Sequence, residues 1–318
     1  MPRAWPLHER AGPLPSANPA AHSALGRQVN EFLEYSLLGI LSGGVTALVA
    51  LSFVLIYKGT GVVNFAVGEV MMLGAYFYYA GAVGFNLPPW LAFALALLGI
   101  AVLAVLVERA VLRPLSGQPA VAVLMATIGM ASIIHGGVEA VWGGDTYSPP
   151  SLLPRTPIIM GDILIPGTVL GNFAVAAVLI AAFLAFFRYA KTGIALRATA
   201  SDPVTAATLG INIHYAQRLT WVLSGLVGTV AGVLIASSAG LSPLLASAAL
   251  GVFAAIILGG MDSILGAIVG SLIIGWVEAL GAGYLGGKSR DVVPYVVVLA
   301  ILVVRPYGIF GTRSIERL

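Results

Sequence analysis

The sequence predicts an all-α fold, a polytopic bundle of transmembrane helices that crosses the membrane eight or nine times. Of its 318 residues, 59% are hydrophobic and only 9% are charged, and the mean hydropathy is +0.98. A soluble domain of this length carries far more charge. In lipid the backbone polar groups of a spanning segment must bond within the protein, which a helix achieves alone. The composition therefore places this chain in a membrane.

Nine apolar runs mark the predicted helices, and several are long enough to cross a hydrocarbon layer of about 30 Å. Glycine-rich breaks follow the first run and separate the seventh from the eighth, at 58–69 and 259–263. Each break is either a tight turn or an unwound, re-entrant segment, so the crossing number is eight or nine. The runs cover 36–57, 69–86, 88–108, 119–142, 163–187, 216–238, 244–260, 263–281 and 292–304.

The positions of arginine and lysine predict the orientation of the loops. These residues concentrate in loops 108–118 and 188–218 and in the tail after 304, whereas loop 143–162 has one arginine and two aspartates. Positively charged loops stay on the cytoplasmic side, so we expect the first three segments inside and the last one outside. The net charge of +3 reflects this bias and indicates no nucleic-acid partner.

The ends of the chain differ from its apolar body. Residues 1–30 are rich in proline and alanine and lack the apolar core of a signal peptide, so we predict a disordered extension there. The transmembrane domain is expected over 31–312, and 313–318 form a cytoplasmic tail. The chain has no cysteine, which excludes disulfides and thiolate metal sites.

The basic segment 188–218 contains the start and stop signals of a short helix. Asp202 is a suitable N-terminal cap, and Pro203 suits the first helical position. Gly210 stands where a C-terminal cap is expected. A structured, positively charged loop on the cytoplasmic face favours a docking element for a partner that does not cross the membrane.

Small and basic side chains of this segment are the candidate partner contacts. Ala206 and Ala207 form a small face that can lie close against a partner. The flanking Arg197 and Arg218 can bind phospholipid or acidic residues of the partner. The alternative is an ordinary solvated helix within a loop.

Few polar residues interrupt the apolar runs. Glu69 lies early in the second run and is either a gate or ligand contact or a cap that suits the helix dipole. Asn64 can instead bridge helices by hydrogen bonding. His135 and Glu139, one turn apart, are weak evidence for a metal site because no further ligand accompanies them, so no metal is predicted.

Four segments resemble, in order, those of the Liv-type branched-chain amino acid ABC transporter permeases. The resemblance runs from about 36 to 312, nearly the whole chain. The segments are LIYKGTGVVNFAVGEVMMLGAY (55–76), ERAVLRPL (108–115), ALRATASDPVTAATLGIN (195–212) and GGMDSILGAIVG (259–270).

The resemblance implies an inner-membrane permease subunit of an importer for branched-chain amino acids. Such a subunit pairs with a homologous permease, two cytoplasmic ATPases and an extracytoplasmic solute-binding protein. It has no cofactor of its own, because the partner ATPases bind ATP. Helix 202–210 would be the coupling helix that seats in an ATPase, and Asn64, Gly68 and Glu69 would lie near the translocation path.

Two departures from the family pattern leave the substrate open. Val67 stands where the family usually has histidine, and Asp262 where glycine is common. The alternatives are a urea or short-amide ABC permease on the same scaffold and a secondary transporter that needs no ATPase. An enzyme is not expected, because no nucleophile–base set is present. GGKS at 286–289 lacks the first glycine of a phosphate loop, since Ala282 stands there.

Overall fold

A computed structural model gives the fold of most of the chain. Eleven α-helices and one two-stranded hairpin form the part that it describes. That part comprises residues 19–115, 117–153, 156–160, 163–290, 292–305 and 307–311.

The helices follow one another with short connections. They are α1 (Pro19–Thr60), α2 (Val67–Tyr79), α3 (Pro89–Val107), α4 (Ala120–Trp142), α5 (Gly167–Tyr189), α6 (Lys191–Ser201), α7 (Pro203–Thr208), α8 (Ile213–Ala239), α9 (Leu245–Gly259), α10 (Ile264–Leu285) and α11 (Val293–Val304). A π-helical turn extends α2 over Ala80–Gly84, another extends α3 over Glu108–Leu112, and Gly287–Ser289 form a 3₁₀ turn.

Each of the nine apolar runs overlaps one of these helices, in the predicted order. Within the described residues, six helices are long and apolar enough to cross a membrane: α1, α3, α4, α5, α8 and α10. Helices α9 and α11 are apolar but shorter, and α2 has 13 residues before its π-helical turn. The chain is therefore a helical, multi-pass membrane protein.

The prediction differs from the structure at a hairpin in the loop before α5. Strands β1 (Ile158–Met160) and β2 (Ile163–Ile165) pair antiparallel there, a small addition to the predicted all-α fold. The fifth run was predicted to begin at 163, but its first three residues are extended. Pro166 follows them and starts α5 as its N-cap residue, because proline lacks the N–H that an earlier helical turn would need.

The predicted N-terminal extension and C-terminal tail lie wholly or partly outside the described residues. Helix α1 already begins at Pro19, so residues 19–30 of the expected extension 1–30 are helical. Alanine, leucine, arginine and glutamine in this stretch favour a helix, and it continues into the first crossing. Residues 1–18 and the tail 313–318 lie outside the described part.

Glycines bring two of the central helices, α1 and α10, into backbone contact. A Cβ added at Gly39 would lie 2.7 Å from the carbonyl oxygen of Gly275, and one at Gly43 would lie 2.8 Å from that of Ser271. A Cβ at Gly275 would lie 2.6 Å from the Cα of Gly43. Small residues four apart let helix backbones approach closely in lipid. Gly39 and Gly43 have this spacing, and it allows the backbones of α1 and α10 to touch.

We expect Gly275→Ala to destabilise the bundle, since the new methyl group would collide with the backbone of Gly43. Overpacking of this kind costs about 1–3 kcal/mol. A lower midpoint of thermal unfolding of the purified protein in detergent would show it. Gly84→Ala is the control, because a Cβ there meets no atom within 4 Å. Equal midpoints for the two variants would contradict the proposed contact.

Candidate functional site

The break between α1 and α2 is an unwound segment held inside the bundle. Asn64 is only 2% exposed, and its Oδ1 accepts a hydrogen bond of 2.9 Å from the backbone N–H of Ala66. The N–H of Phe65 donates to Oγ1 of Thr127 on α4 over 3.4 Å. These bonds replace part of the helical hydrogen bonding that the break gives up. They fix the break against α4.

Asn64 also faces a small cavity between α2, α3 and α8. The cavity has a volume of about 20 Å³, and Trp221 and Ser224 of α8 share its lining with Asn64. Such a volume holds about one water molecule. Among the described residues, the buried Nδ2 of Asn64 has no hydrogen-bond partner. The predicted site residue Asn64 is therefore a buried polar group beside a cavity that α8 helps to form.

Gly68 has a packing role in the first turn of α2. It is buried, and a Cβ added there would lie 2.9 Å from Cβ of Ala249 and 2.5 Å from the carbonyl oxygen of Ala246. Both neighbours belong to α9. Gly68 thus allows α2 to lie directly against α9.

Glu69, the third residue predicted for the path, joins two residues of α4 in what we call the acid–histidine cluster. Its Oε2 lies 3.2 Å from Nδ1 of His135, and Nε2 of His135 lies 3.5 Å from Oε1 of Glu139. The side chains of Glu69, His135 and Glu139 are 15%, 38% and 54% exposed. The sequence singled out all three residues but did not bring Glu69 to the other two. No group of three His, Cys, Asp or Glu in the described part of the chain is arranged to hold a metal ion.

The acid–histidine cluster lies in the second half of α4, toward its C-terminal end. At a rise of 1.5 Å per residue, His135 is about 22 Å from Ala120 at the start of α4 and about 10 Å from Trp142 at its end. An ionisable side chain at the centre of a transmembrane helix costs about 2.5–3.5 kcal/mol on insertion scales. The exposed side of the cluster therefore suits water, lipid headgroups or a protein partner better than hydrocarbon.

The short helix α7 has the predicted start and stop. Oδ1 of Asp202 accepts hydrogen bonds from the N–H groups of Val204 (3.0 Å) and Thr205 (3.1 Å), and Oγ1 of Thr205 donates to its Oδ2. Pro203 is the first residue of the helix. Gly210 follows with φ +83°, in the left-handed region that favours glycine. The capped helix predicted from Asp202, Pro203 and Gly210 is confirmed.

The side-chain hydrogen bond from Thr205, together with the backbone N–H groups, holds the pKa of Asp202 below its ordinary value. A lowered pKa means that the folded state prefers the ionised cap. The stabilisation is therefore present above the ordinary carboxyl pKa and is lost as the pH falls through the lowered one. The cap is fully formed at neutral pH.

The exposed face of α7 is not the one predicted. Ala206 is only 2% exposed and faces the chain itself, so it is not available to a partner. Ala207 is exposed, and its apolar neighbours Val204 and Leu209 are each 75% exposed. The helix turns Ala206 inward, whereas positions 204 and 207, three apart, share its outer face, and Leu209 lies just past its last residue. Helix α6, which the sequence analysis did not predict, comes directly before α7 in the chain.

The two arginines predicted as partner contacts lie in different surroundings. Arg197 is exposed on α6. Nε of Arg218, at the start of α8, instead donates to Oε2 of Glu108 over 2.9 Å, and the Glu108 side chain is 3% exposed. Arg218 is thus committed to an ion pair within the chain. The sequence analysis missed Glu108, although an acidic residue at the end of an apolar run was a usable signal.

A larger cavity, of about 740 Å³, lies between α1, α5, α8, α9, α10 and α11. Asn172 on its wall is 3% exposed, and its Nδ2 donates to the carbonyl oxygen of Leu234 (2.9 Å) and to Oγ of Ser238 (3.0 Å). Glu278 and Arg290 face each other at this cavity, with Oε2 and Nε 3.8 Å apart. The sequence analysis did not identify this cavity, because its walls come from six separate helices.

Comparison with known proteins places these features in a family. The family described as "Branched-chain amino acid transport system / permease component" matches residues 36–302. The branched-chain amino acid permease protein LivH of Salmonella typhimurium is 31% identical over 309 residues, which cover 92% of this chain and 100% of that protein.

More distant similarity extends to other permeases. The galactofuranose transporter permease protein YtfT of Escherichia coli is 30% identical over 293 residues, 85% of this chain and 80% of that protein. Among solved structures, PsaBC from Streptococcus pneumoniae in complex with Fab is 17% identical with a TM-score of 0.47, covering 91% of this chain and 97% of that one.

Asp202→Ala is expected to fray the start of α7, since it removes the acceptor for the N–H groups of Val204 and Thr205. Loss of an N-cap changes the local helix population by about fivefold. Hydrogen exchange of peptides that cover 203–210, followed by mass spectrometry, should be faster by about that factor. Asp202→Ser keeps a capping oxygen and serves as the control. Unchanged exchange in Asp202→Ala would show that the cap does not hold the helix.

Proposed function

The chain belongs to the family of branched-chain amino acid transport system permease components, and on this premise we propose that it is the permease subunit of an ABC importer. The substrates proposed are branched-chain, hydrophobic amino acids, moved inward across the inner membrane. In this proposal nine helices, including α2, α9 and α11, cross or re-enter the membrane, with the N-terminus outside. The subunit itself is not an enzyme and holds no cofactor.

One observation carries the proposal that α7 is a coupling helix. It is a helix capped at both ends that exposes the apolar side chains Val204 and Leu209 directly after the basic helix α6. An exposed apolar patch on a polar segment is typical of a protein-binding surface. We propose that this patch seats in one of two cytoplasmic ATPases, which bind and hydrolyse the ATP.

Helix α8 supports a mechanical route from α7 to the bundle. It starts three residues after Gly210, at Ile213, and it is a continuous helix of 27 residues. Oγ of Ser224 donates to the carbonyl oxygen of Ser52 on α1 over 2.9 Å. Trp221 and Ser224 line the same cavity as Asn64. A displacement of α7 by the ATPases would therefore reach the unwound break through one rigid element.

Energy considerations explain why the partners are needed. Reversing a two-state population almost completely takes about 5.5 kcal/mol of differential binding. Nucleotide-driven closure of an ATPase dimer can supply this difference, whereas the permease has no nucleotide site of its own in this proposal. A second, homologous permease and an extracytoplasmic solute-binding protein complete the proposed transporter, and the binding protein selects the solute.

The decisive experiment is reconstitution of the complete transporter in proteoliposomes with ATP on the ATPase side. We expect uptake of leucine, isoleucine or valine that depends on both ATP and the solute-binding protein. Urea, a short amide or galactofuranose as the transported solute would overturn the substrate assignment and keep the importer. Uptake by the permease alone, driven by a proton or sodium gradient, would overturn the importer itself.

We expect the double variant Val204→Asp, Leu209→Asp to lose the ATPases. Two exposed apolar side chains that become buried in an interface contribute about 1.5–3 kcal/mol each, so the affinity should fall on the order of a hundredfold or more. Co-purification of the ATPases with the tagged permease measures this. Leu244→Asp, at a side chain that is 77% exposed just before α9, is the control for membrane insertion. If the ATPases still co-purify normally with the double variant, α7 is not the coupling helix.

Glu69→Gln should lower uptake more than it lowers the amount of folded permease. The variant weakens a charge-assisted hydrogen bond to His135, which is worth about 1.5–3 kcal/mol, so uptake should fall on the order of tenfold. Initial rates of uptake, normalised to folded protein by fluorescence-detected gel filtration, give the comparison. If this variant takes up substrate at the wild-type rate, Glu69 acts only as a helix cap.

A further inference from the structure

The cavity of about 740 Å³, which we call the outer cavity, lies in the half of the bundle opposite α6 and α7. Helix α5 leads into that pair of helices and α8 leads out of it, so the start of α5 and the end of α8 lie on the far side. Asn172 and Leu234 on the cavity wall are each about 8 Å from such an end, at a rise of 1.5 Å per residue. An antiparallel bridge between Tyr147 and Leu241 holds the loop before β1 on the same side. With α7 on the cytoplasmic side, the cavity therefore faces the side from which an imported solute arrives.

Much of the wall of the outer cavity is aliphatic and enclosed by the chain. Val45 and Val49 of α1, Leu234 of α8 and Val252 of α9 are from 1% to 8% exposed. The volume falls within the range of small-molecule sites, about 300–1,000 Å³, which are mostly apolar and carry a few polar groups. The outer cavity therefore suits a small ligand with an aliphatic part.

A few polar groups face this apolar wall. Of the described residues that line the cavity, Glu278 is the one acid and Arg290 the one base. Their facing atoms are 3.8 Å apart, which is longer than a hydrogen bond. The Arg290 side chain is 63% exposed and that of Glu278 25%, so the base lies at the rim and the acid further in. Asn172 is buried, and its Oδ1 has no hydrogen-bond partner among the described residues.

We propose that the outer cavity is the site where the permease first holds the amino acid that it transports. This inference rests on the proposed function and names the residues that meet the substrate. The guanidinium of Arg290 binds the α-carboxylate, because its planar N–H groups match the two carboxylate oxygens. The carboxylate of Glu278 accepts hydrogen bonds from the α-ammonium group, and the aliphatic side chain lies against Val49 and Val252.

Charge matching favours this ligand over the other solutes considered for the transporter. Urea, a short amide and galactofuranose carry no charge, so none of them compensates for drawing Glu278 and Arg290 apart. A fatty acid matches Arg290 alone and leaves the acid without a new partner. An amino acid supplies both opposite charges in one small molecule, and its side chain buries apolar surface of the wall.

Photo-leucine, a leucine analogue with a diazirine in its side chain, tests the site directly. The complete transporter in lipid nanodiscs is illuminated with photo-leucine, with or without excess leucine, and mass spectrometry locates the adducts. We expect adducts in peptides that contain Val49, Leu234 or Val252, suppressed at least severalfold by leucine. The absence of such adducts, or adducts that leucine does not suppress, would overturn the site. Labelling of these peptides by a diazirine fatty acid instead of photo-leucine would identify a lipid groove and also overturn it.

Arg290→Gln should lower this labelling on the order of tenfold, because it removes the charged partner of the α-carboxylate. Arg305→Gln, at an exposed arginine directly after α11, is the matched control and should label as the wild type does. Equal labelling of the two variants would contradict the assigned role of Arg290.

Filling the cavity gives an independent test. Gly251 lines the outer cavity, and a Cβ added there meets no atom within 4 Å, as is also true of Gly129 on α4. We expect Gly251→Trp to abolish photo-leucine labelling, whereas Gly129→Trp should leave it unchanged. Normal labelling of Gly251→Trp would overturn the site, and the comparison of Arg290→Gln with its control decides if this variant does not fold. Uptake of a solute other than an amino acid sinks the proposed function, whereas leucine uptake without labelling of the cavity sinks only this site.

Discussion

The bundle depends on the backbone contact between α1 and α10, which glycine alone permits. Gly39 and Gly43 face Gly275 at distances that leave no room for a side chain. Hydrophobic burial does little to hold helices together in lipid, because the tails are as apolar as leucine side chains. Close approach and good van der Waals packing therefore supply the attraction. The other central helix, α8, uses the same device, since Gly232 lies against the backbone of Met71 on α2.

Beside this tightly packed centre, the chain has a break in its helical hydrogen bonding. The chain gives up helical hydrogen bonds between Thr60 and Val67, and it recovers them only in part through Asn64 and Thr127. An unwound segment at membrane depth is tolerated only where protein or enclosed water surrounds it. The break therefore depends on its protein surroundings, whereas α1, α8 and α10 are held by close packing at glycines.

Polar side chains in the structure fall into two groups. Glu108 and Arg218 satisfy each other inside the chain, which ties the end of α3 to the start of α8. The acid–histidine cluster has only part of its hydrogen bonding satisfied and remains open on one side. The first group fixes the architecture. The second lies partly exposed at the edge of the bundle.

The sequence by itself determined the features that depend on neighbouring residues. Apolar runs gave the order of the helices, and Asp202, Pro203 and Gly210 gave both ends of α7, because caps and helical periods act over a few positions. Tertiary structure alone decided which residues meet: Glu69 reaches His135 across 66 positions, and Arg218 reaches Glu108 across 110. It also turned Ala206 inward. Such contacts follow from the packing of helices against one another, and no local pattern records the direction from which a neighbour approaches.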